Sequence, residues 1–235
     1  MIVLGVETST ARSSVALLDV PDGPAEEAAG AGRVLASRAH EDARGHGAFL
    51  APAVLGCLAE AGCDVGAVEG VAVGTGPGLY TGLRIGVATA TALAWARAIP
   101  VAGVPGTAAM VAAARRRAEL ASAPLLAVLD ARRGQWFHAT APRAAAAVGP
   151  AAVGDAAAVA AALAAAGPDA RVVGEAPGDV VVAAALRPDA VEVARLGVAA
   201  LRSGGHAPAD LLPRYLREAD VRIGWAERGG RTVGA

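Results

Sequence analysis

Neither lysine nor asparagine occurs in this chain of 235 residues, so all 21 of its full cations are arginines. Codons for both missing residues are AT-rich, and the absence reads as the mark of a GC-rich genome. An excess of positive charge is missing as well. Against 22 acids the formal net charge is −1 and the isoelectric point about 6.4, which removes the footprint of a protein that grips a phosphate backbone unaided. If RNA is involved, most of the charge comes from a partner. Cysteine is scarce: Cys57 and Cys63 stand without a CxxC or a Cys/His cluster, so neither a zinc site nor a disulfide framework is indicated. The histidines, His40, His46, His138 and His206, contain no pair at the i, i+4 spacing that puts two imidazoles on one helical face for a metal. No serine has the context of a nucleophile elbow. Aromatics make up only 3% of a chain that is 54% hydrophobic, with mean hydropathy +0.45. Alanine supplies much of that apolar content and buries little area per residue. Long hydrophobic runs are absent too, since the alanine-rich stretch 153–166 is short and interrupted by Asp155. The opening Met1-Ile2-Val3-Leu4-Gly5-Val6-Glu7 lacks a basic region ahead of an apolar core. A cytoplasmic location and no membrane partner are expected.

What is present is an ordered alternation of short apolar runs and helical stripes. Residues 2–6 and 13–18 read as strands joined by the polar turn Thr8-Ser9-Thr10-Ala11-Arg12. The Pro/Gly/Ala/Glu-rich stretch 21–32 reads as an extended hairpin loop, and 33–38 returns as a third strand of an antiparallel meander. Over 45–61, His46, Phe49, Leu50, Ala53, Val54, Cys57, Leu58 and Ala61 follow the i, i+3, i+4 rule of a helix face. The opposite side, Ala48, Ala51, Leu55 and Ala59, is apolar as well, and Pro52 inside the helix costs a hydrogen bond. A fourth strand over 71–74 runs into Gly74-Thr75-Gly76-Pro77-Gly78-Leu79-Tyr80-Thr81-Gly82-Leu83-Arg84-Ile85-Gly86, and a second helix covers 81–98. Leu83, Val87, Ala90 and Ala94 line one side of it, while Ile85, Ala88, Ala92 and Trp95 line another. With a fifth strand over 100–104 the order is βββαβαβ, a mixed α/β layer with helices packed on a sheet. Next come a helix ending in Arg115-Arg116-Arg117, a hairpin over 125–130 and 135–140, and an alanine-rich helix over 155–166 capped by Asp155. A strand over 171–174 and a helix over 191–203 follow, so the second half repeats the first in weaker form. The expected division is a first lobe over 1–105 carrying partner-binding helices, a second, smaller lobe over 106–217, and a polar tail over 218–235.

Two segments carry candidate chemistry. Glu7 at a strand end, with Thr8 and Ser9 beside it, has the oxygens to hold a magnesium-phosphate group. The same residues serve equally as a plain turn, in which hydroxyls bond the local backbone, and that reading is preferred. Gly76 and Gly78 precede a helix start, where unpaired N–H groups attract anions. Yet no Gly-Lys-Ser/Thr ends the loop, and Pro77 breaks GxGxxG with no acid at the expected distance downstream. A tight strand-to-helix corner that permits close packing is the favoured reading. Asp130 and Arg132 read as a charged pair that fixes the second hairpin.

These segments together resemble the TsaB (YeaZ) family. The resemblance rests on Leu4-Gly5-Val6-Glu7-Thr8-Ser9-Thr10 with Ser14-Val15-Ala16-Leu17, and on His46 followed by Leu50 and Pro52. It rests further on the loop from Gly74 to Gly86, on Leu129-Asp130-Ala131-Arg132 and on Pro213-Arg214-Tyr215-Leu216-Arg217. It implies an actin/sugar-kinase/Hsp70-like α/β fold of two lobes, each a mixed sheet in βββαβα order with packed helices. It also implies a glycoprotease-like, non-catalytic scaffold for threonylcarbamoylation of the tRNA adenosine next to the anticodon. The implied partners are a TsaD-like catalytic paralogue, a TsaE-like ATPase and, through the complex, tRNA, with a homodimer formed when the chain is alone. No cofactor is implied for the chain itself, ATP or ADP belonging only to the assembled complex. The HxxxH metal motif of the catalytic paralogue is missing, because Leu50 follows His46 by four and Arg44 follows His40 by four. Glu7 and Ser9 stand where ATP-using members of the fold carry an aspartate and a glycine. The partner interface is expected at His46, Phe49, Leu50, Ala53, Leu83, Val87, Ala90 and Ala94. The alternative is an enzyme of the same fold, a nucleotide-dependent phosphotransferase or a peptidase.

Overall fold

Strands that are apolar at successive positions, rather than at every second one, need cover on both faces. β1 (Ile2–Glu7) and β2 (Arg12–Asp19) are of this kind, and in the computed structural model both are buried almost throughout. The structure describes residues 1–24, 30, 32–143 and 147–217. β1 and β2 pair antiparallel, as do β2 and β3 (Arg33–Glu41), while β4 (Gly70–Gly76) and β5 (Val101–Pro105) join in parallel on the other side of β1. The sheet order is β3-β2-β1-β4-β5. Helices α1 (His46–Ala61) and α2 (Tyr80–Arg97) cover one face. There Leu4, Val6, Val15 and Leu17 meet Leu50, Ala53 and Cys57 from α1 and Ala90 and Ala94 from α2. The alternate residues Val3, Ala16, Leu18 and Ala72 face the opposite way, into a second apolar cluster.

The second sheet has the order β10-β9-β6-β7-β8. It comprises β6 (Leu125–Arg132), β7 (Gln135–Ala141), β8 (Ala152–Gly154), β9 (Arg171–Gly174) and β10 (Val182–Ala184). On one face α3 (Gly106–Arg115) brings Met110, Val111 and Ala114 against Leu125, Ala127 and Leu129. On the other, α4 (Ala156–Ala166) packs Val159 against Leu126, Val128 and Val172. Asp155 caps α4 as expected, accepting the Ala158 N–H at 2.9 Å. The order β1-β2-β3-α1-β4-α2, echoed by β6-β7-β8-α4-β9, is the repeated two-lobed α/β arrangement that the sequence pattern predicts.

The last helix, α5 (Ala190–Arg202), comes from the 106–217 stretch but is built into the core of the first sheet. Its Ala190, Val193, Ala194 and Val198 supply the second cluster that Val3, Ala16 and Ala72 require. Both cysteines are free thiols. Among the described residues no helix is long and apolar enough to cross a membrane. Residues 25–29 and 31 of the loop expected over 21–32, and all of the tail over 218–235, lie outside the described residues.

Candidate functional site

β1 ends on Glu7 and the chain turns through Thr8 and Ser9, all three of them buried. What buries them is the loop after β4 and the first turns of α2. Leu79 N–H donates to the Ser9 carbonyl at 2.7 Å, and Thr8 Oγ1 donates to the Gly82 carbonyl at 2.7 Å. A Cβ at Gly78 would strike the Ser9 carbonyl, one at Gly82 the Thr8 carbonyl, and one at Gly86 the Thr8 hydroxyl. Three glycines spaced by four thus seat the helix on the turn at backbone contact. Gly74 does the same for Glu7, whose carboxyl lies where a side chain would begin. Gly76, at φ +101°, faces the Arg214 carbonyl and Leu83 instead. Of the five anion candidates, Glu7, Thr8, Ser9 and Gly78 are therefore brought together, and Gly76 points elsewhere. Glu7 Oε1 accepts the Ser9 N–H at 2.5 Å, while Oε2 has no partner among the described residues. Burial pushes the carboxyl pKa up, with Ser9 and Thr8 opposing in part.

His46 opens α1, and its Nδ1 is hydrogen-bonded to Ser13 Oγ on β2. Its Nε2 faces Gly82 and has no partner among the described residues, and burial lowers the imidazole pKa. A serine beside a histidine is the germ of a nucleophilic pair. Here both groups are buried, so the pair ties α1 to the sheet. Among the described residues no three His, Cys, Asp or Glu side chains are grouped to hold a metal ion.

The positions expected to meet a partner are not on the surface. His46, Leu50, Ala53, Leu83, Val87, Ala90 and Ala94 are buried within the chain, and Phe49 is half-buried against His40, with ring centroids 5.6 Å apart. The physical reason is the regularity of the stripe itself, because the face that repeats most strictly is the one the sheet takes. The second apolar sides face outward: Ala48, Ala51 and Leu55 on α1, and Ala88, Ala92 and Trp95 on α2 are exposed. Leu55 is 66% exposed and Trp95 79%.

Between the two sheets lies a cavity of about 120 Å³, lined by Ser9, Thr10, Gly78 and Leu79 on one side and by Leu129, Asp130 and Arg187 on the other. Ion pairs cross beside it. Arg12 reaches Asp189 at 2.9 Å and Glu41 at 3.5 Å, while Arg187 reaches Glu41 at 2.7 Å and Glu175 at 3.1 Å. The sequence pattern shows Arg12 only as a turn residue, since its partner Asp189 lies 177 positions away and leaves no local signal. The expected Asp130–Arg132 pair is present at 3.2 Å. The segment 211–217 holds the glycine loop from the far side. Leu211 is buried in the first core, Arg214 N–H donates to the Thr75 carbonyl at 2.8 Å, and Arg217 Nη1 donates to the Ala131 carbonyl at 2.7 Å.

Residues 33–176 match a family model described as TsaD, tRNA N6-adenosine threonylcarbamoyltransferase. An uncharacterized protein of Mycobacterium tuberculosis is 48% identical over 71 residues, which is 30% of this chain and 34% of that relative. The tRNA N6-adenosine threonylcarbamoyltransferase of Pelobacter propionicus is 38% identical over 115 residues, or 44% of this chain and 32% of that enzyme. The chain thus spans about a third of the length of these curated relatives. Among solved structures, a protein from Pseudomonas aeruginosa described as similar to the peptidase YEAZ superposes with TM-score 0.74 at 30% identity. YeaZ from Pseudomonas aeruginosa superposes with TM-score 0.72 at 29% identity. Each match covers 92% of this chain and 99% of the other.

Proposed function

We propose that this chain, which belongs to the YeaZ (TsaB) family, is the scaffold subunit for threonylcarbamoylation of the tRNA adenosine next to the anticodon. In this reading it is not itself catalytic. It acts in the cytoplasm and pairs with a TsaD-like catalytic subunit, which it activates. A TsaE-like ATPase joins that pair, any ATP or ADP belongs to the assembly, and tRNA is met through the complex. Alone, the chain forms a homodimer through the same surface.

The observation that carries the reading is the outward face of α1 and α2. Trp95 at 79% and Leu55 at 66% exposure are large apolar side chains left among exposed alanines, and covering them is what a partner on this face would gain. Small residues at Ala48, Ala51, Ala88 and Ala92 let a facing helix approach closely. The enzyme alternative would draw on Ser13 and His46, whose burial speaks for packing. The test is reconstitution of tRNA modification with the cognate partners, with and without this chain. Modification is expected only with it, and equal rates without it overturn the reading. ATP turnover by the chain alone, lost on Glu7→Ala, would establish the alternative.

A further inference from the structure

The two sheets share little apolar contact. Of the four apolar clusters among the described residues, two draw their strands from the first sheet and two from the second. One helix serves both: α3 gives Ala109 to a first-sheet cluster and Met110, Val111 and Ala114 to a second-sheet one. The chain passes between the sheets at Pro105–Gly106 and again over 185–189. These two crossings touch, since a Cβ at Gly106 would lie 3.1 Å from the Pro188 side chain. Elsewhere the sheets face each other across the cavity of about 120 Å³, whose lining includes Ser9, Thr10, Asp130, Glu175 and Arg187. Units joined by neighbouring crossings, one shared helix and a polar interface move relative to one another unless something ties them.

Two arginine side chains supply ties of different kinds. Arg187, on the second crossing, donates from Nη1 to Glu41 Oε2 at the end of β3, at 2.7 Å. It also donates from Nε to Glu175 Oε1, just after β9, at 3.1 Å. Glu175 Oε2 in turn accepts the Asp130 N–H of β6 at 3.3 Å. On the first sheet Arg12 shares Glu41, at 3.5 Å, and reaches Asp189 at 2.9 Å. The row Asp189–Arg12–Glu41–Arg187–Glu175 therefore alternates in sign from α5 across to the second sheet. Arg187, Glu41 and Glu175 are each more than a third exposed, so dissolved salt screens these pairs. The other tie, from Arg217 to the Ala131 carbonyl at 2.7 Å, has a neutral acceptor.

We propose that Arg187 is an ionic clasp on a hinge: it holds the second sheet closed against the first across the cavity, and the two part about α3 when its pairs to Glu41 and Glu175 are screened or removed. Opening uncovers Thr10 on one wall and Asp130 and Phe137 on the other, while α1 and α2 stay in place on the first sheet. The device is thus separate from the scaffold reading, and its test needs no partner.

The measurement is the distance distribution between two spin labels, by pulsed electron–electron double resonance, in the whole chain at low and at molar salt. The labels sit at Ser37→Cys on β3 and Ala157→Cys on α4, both exposed positions, in a chain carrying Cys63→Ser. Cys57 is buried, and burial pushes its thiol pKa up, so it takes little label. The chain with Arg187 intact is expected to show one distance at low salt and a second population at molar salt. Arg187→Met keeps the length of the stem and removes the charge, so the second population should be present already at low salt. Its open-to-closed ratio should rise roughly two- to thirty-fold, the worth of two partly exposed ion pairs, and should no longer depend on salt. Glu41→Gln, acting from the first sheet, should shift the ratio in the same direction. Arg217→Met should keep the salt response, because the contact it removes has a neutral acceptor. One unchanged distance in Arg187→Met at both salt concentrations, or a parent distribution that ignores salt, overturns the proposal. A lower urea midpoint in Arg187→Met without a second distance would make the row of ion pairs a static brace, and overturns it as well.

Discussion

Truncating Trp95 to alanine puts the outward face of α2 to the test. Trp95 is 79% exposed. A tryptophan buries on the order of 250 Å² when covered, so about 200 Å² is available to a partner here. At ~25 cal/mol per Å² full burial is worth about 5 kcal/mol. Imperfect coverage and the costs of association reduce this to about 2–4 kcal/mol, the range of aromatic hot spots. The Kd for a TsaD-like partner should then rise roughly thirty- to several-hundred-fold. Stability of the isolated variant should stay within about 0.5 kcal/mol of wild type, because an exposed ring supports little of its own fold. Leu50→Ala is the contrast. Leu50 is buried in the core under α1, and its truncation should cost about 2–5 kcal/mol of stability while the folded fraction still binds. Isothermal calorimetry with the partner, and sedimentation of the chain alone at matched concentration, read both effects. Wild-type Kd and an unchanged homodimer in Trp95→Ala and in Leu55→Ala would refute the reasoning.

Three further outcomes follow from the buried turn. In Gly82→Ala the new methyl meets the Thr8 carbonyl and brings the His46 ring to 3.2 Å, so the urea midpoint should fall by the equivalent of about 1–3 kcal/mol; an unchanged midpoint contradicts the backbone seat. Burial raises the Glu7 pKa in the folded chain, so its contribution to stability is full below the ordinary 4.5 and declines as pH rises from there toward the raised value. Glu7→Gln keeps an acceptor for the Ser9 N–H and should flatten the profile of stability against pH over that interval, whereas identical slopes would show Glu7 to be ordinary. For His46 the sign is reversed: its lowered pKa gives stability that is present above 6.5 and lost as pH falls from there through the depressed value. His46→Phe should remove that acid-side loss in urea titrations, and persistence of the loss would assign it to another group.

The elements legible in sequence are those whose signal is local. Strands buried on both faces show as unbroken apolar runs, and α1 shows as a strict stripe from His46 to Ala61. β8 and β10, three residues each, are too short for any period and exist because β7 and β9 present free edges. The return of α5 to the first sheet is illegible for another reason. Its amphipathic face fits a sheet, but nothing local says which sheet, and the deciding contacts are with Val3, Ala16 and Ala72. The same gap accounts for the residues expected to meet a partner lying inside the core instead. Both sides of α1 are apolar, so composition offers two faces, and only the packing of Leu50 and Cys57 under the sheet shows that Leu55 is left outside.

The glycine loop shows where such reading stops in general. Glycine at 78, 82 and 86 records that a Cβ is not tolerated at those positions, and a phosphate or a peptide backbone would impose the same requirement. The choice between them is made by the occupant, which here is the Thr8–Ser9 turn, with Thr8 bonding to Gly82 across 74 positions of chain. Glu7 follows the same logic, since its carboxylate reads as a ligand only until Gly74 is seen to leave the space that it fills. A loop of this type therefore gains a chemical meaning only from the group opposite it, and that group is fixed by topology.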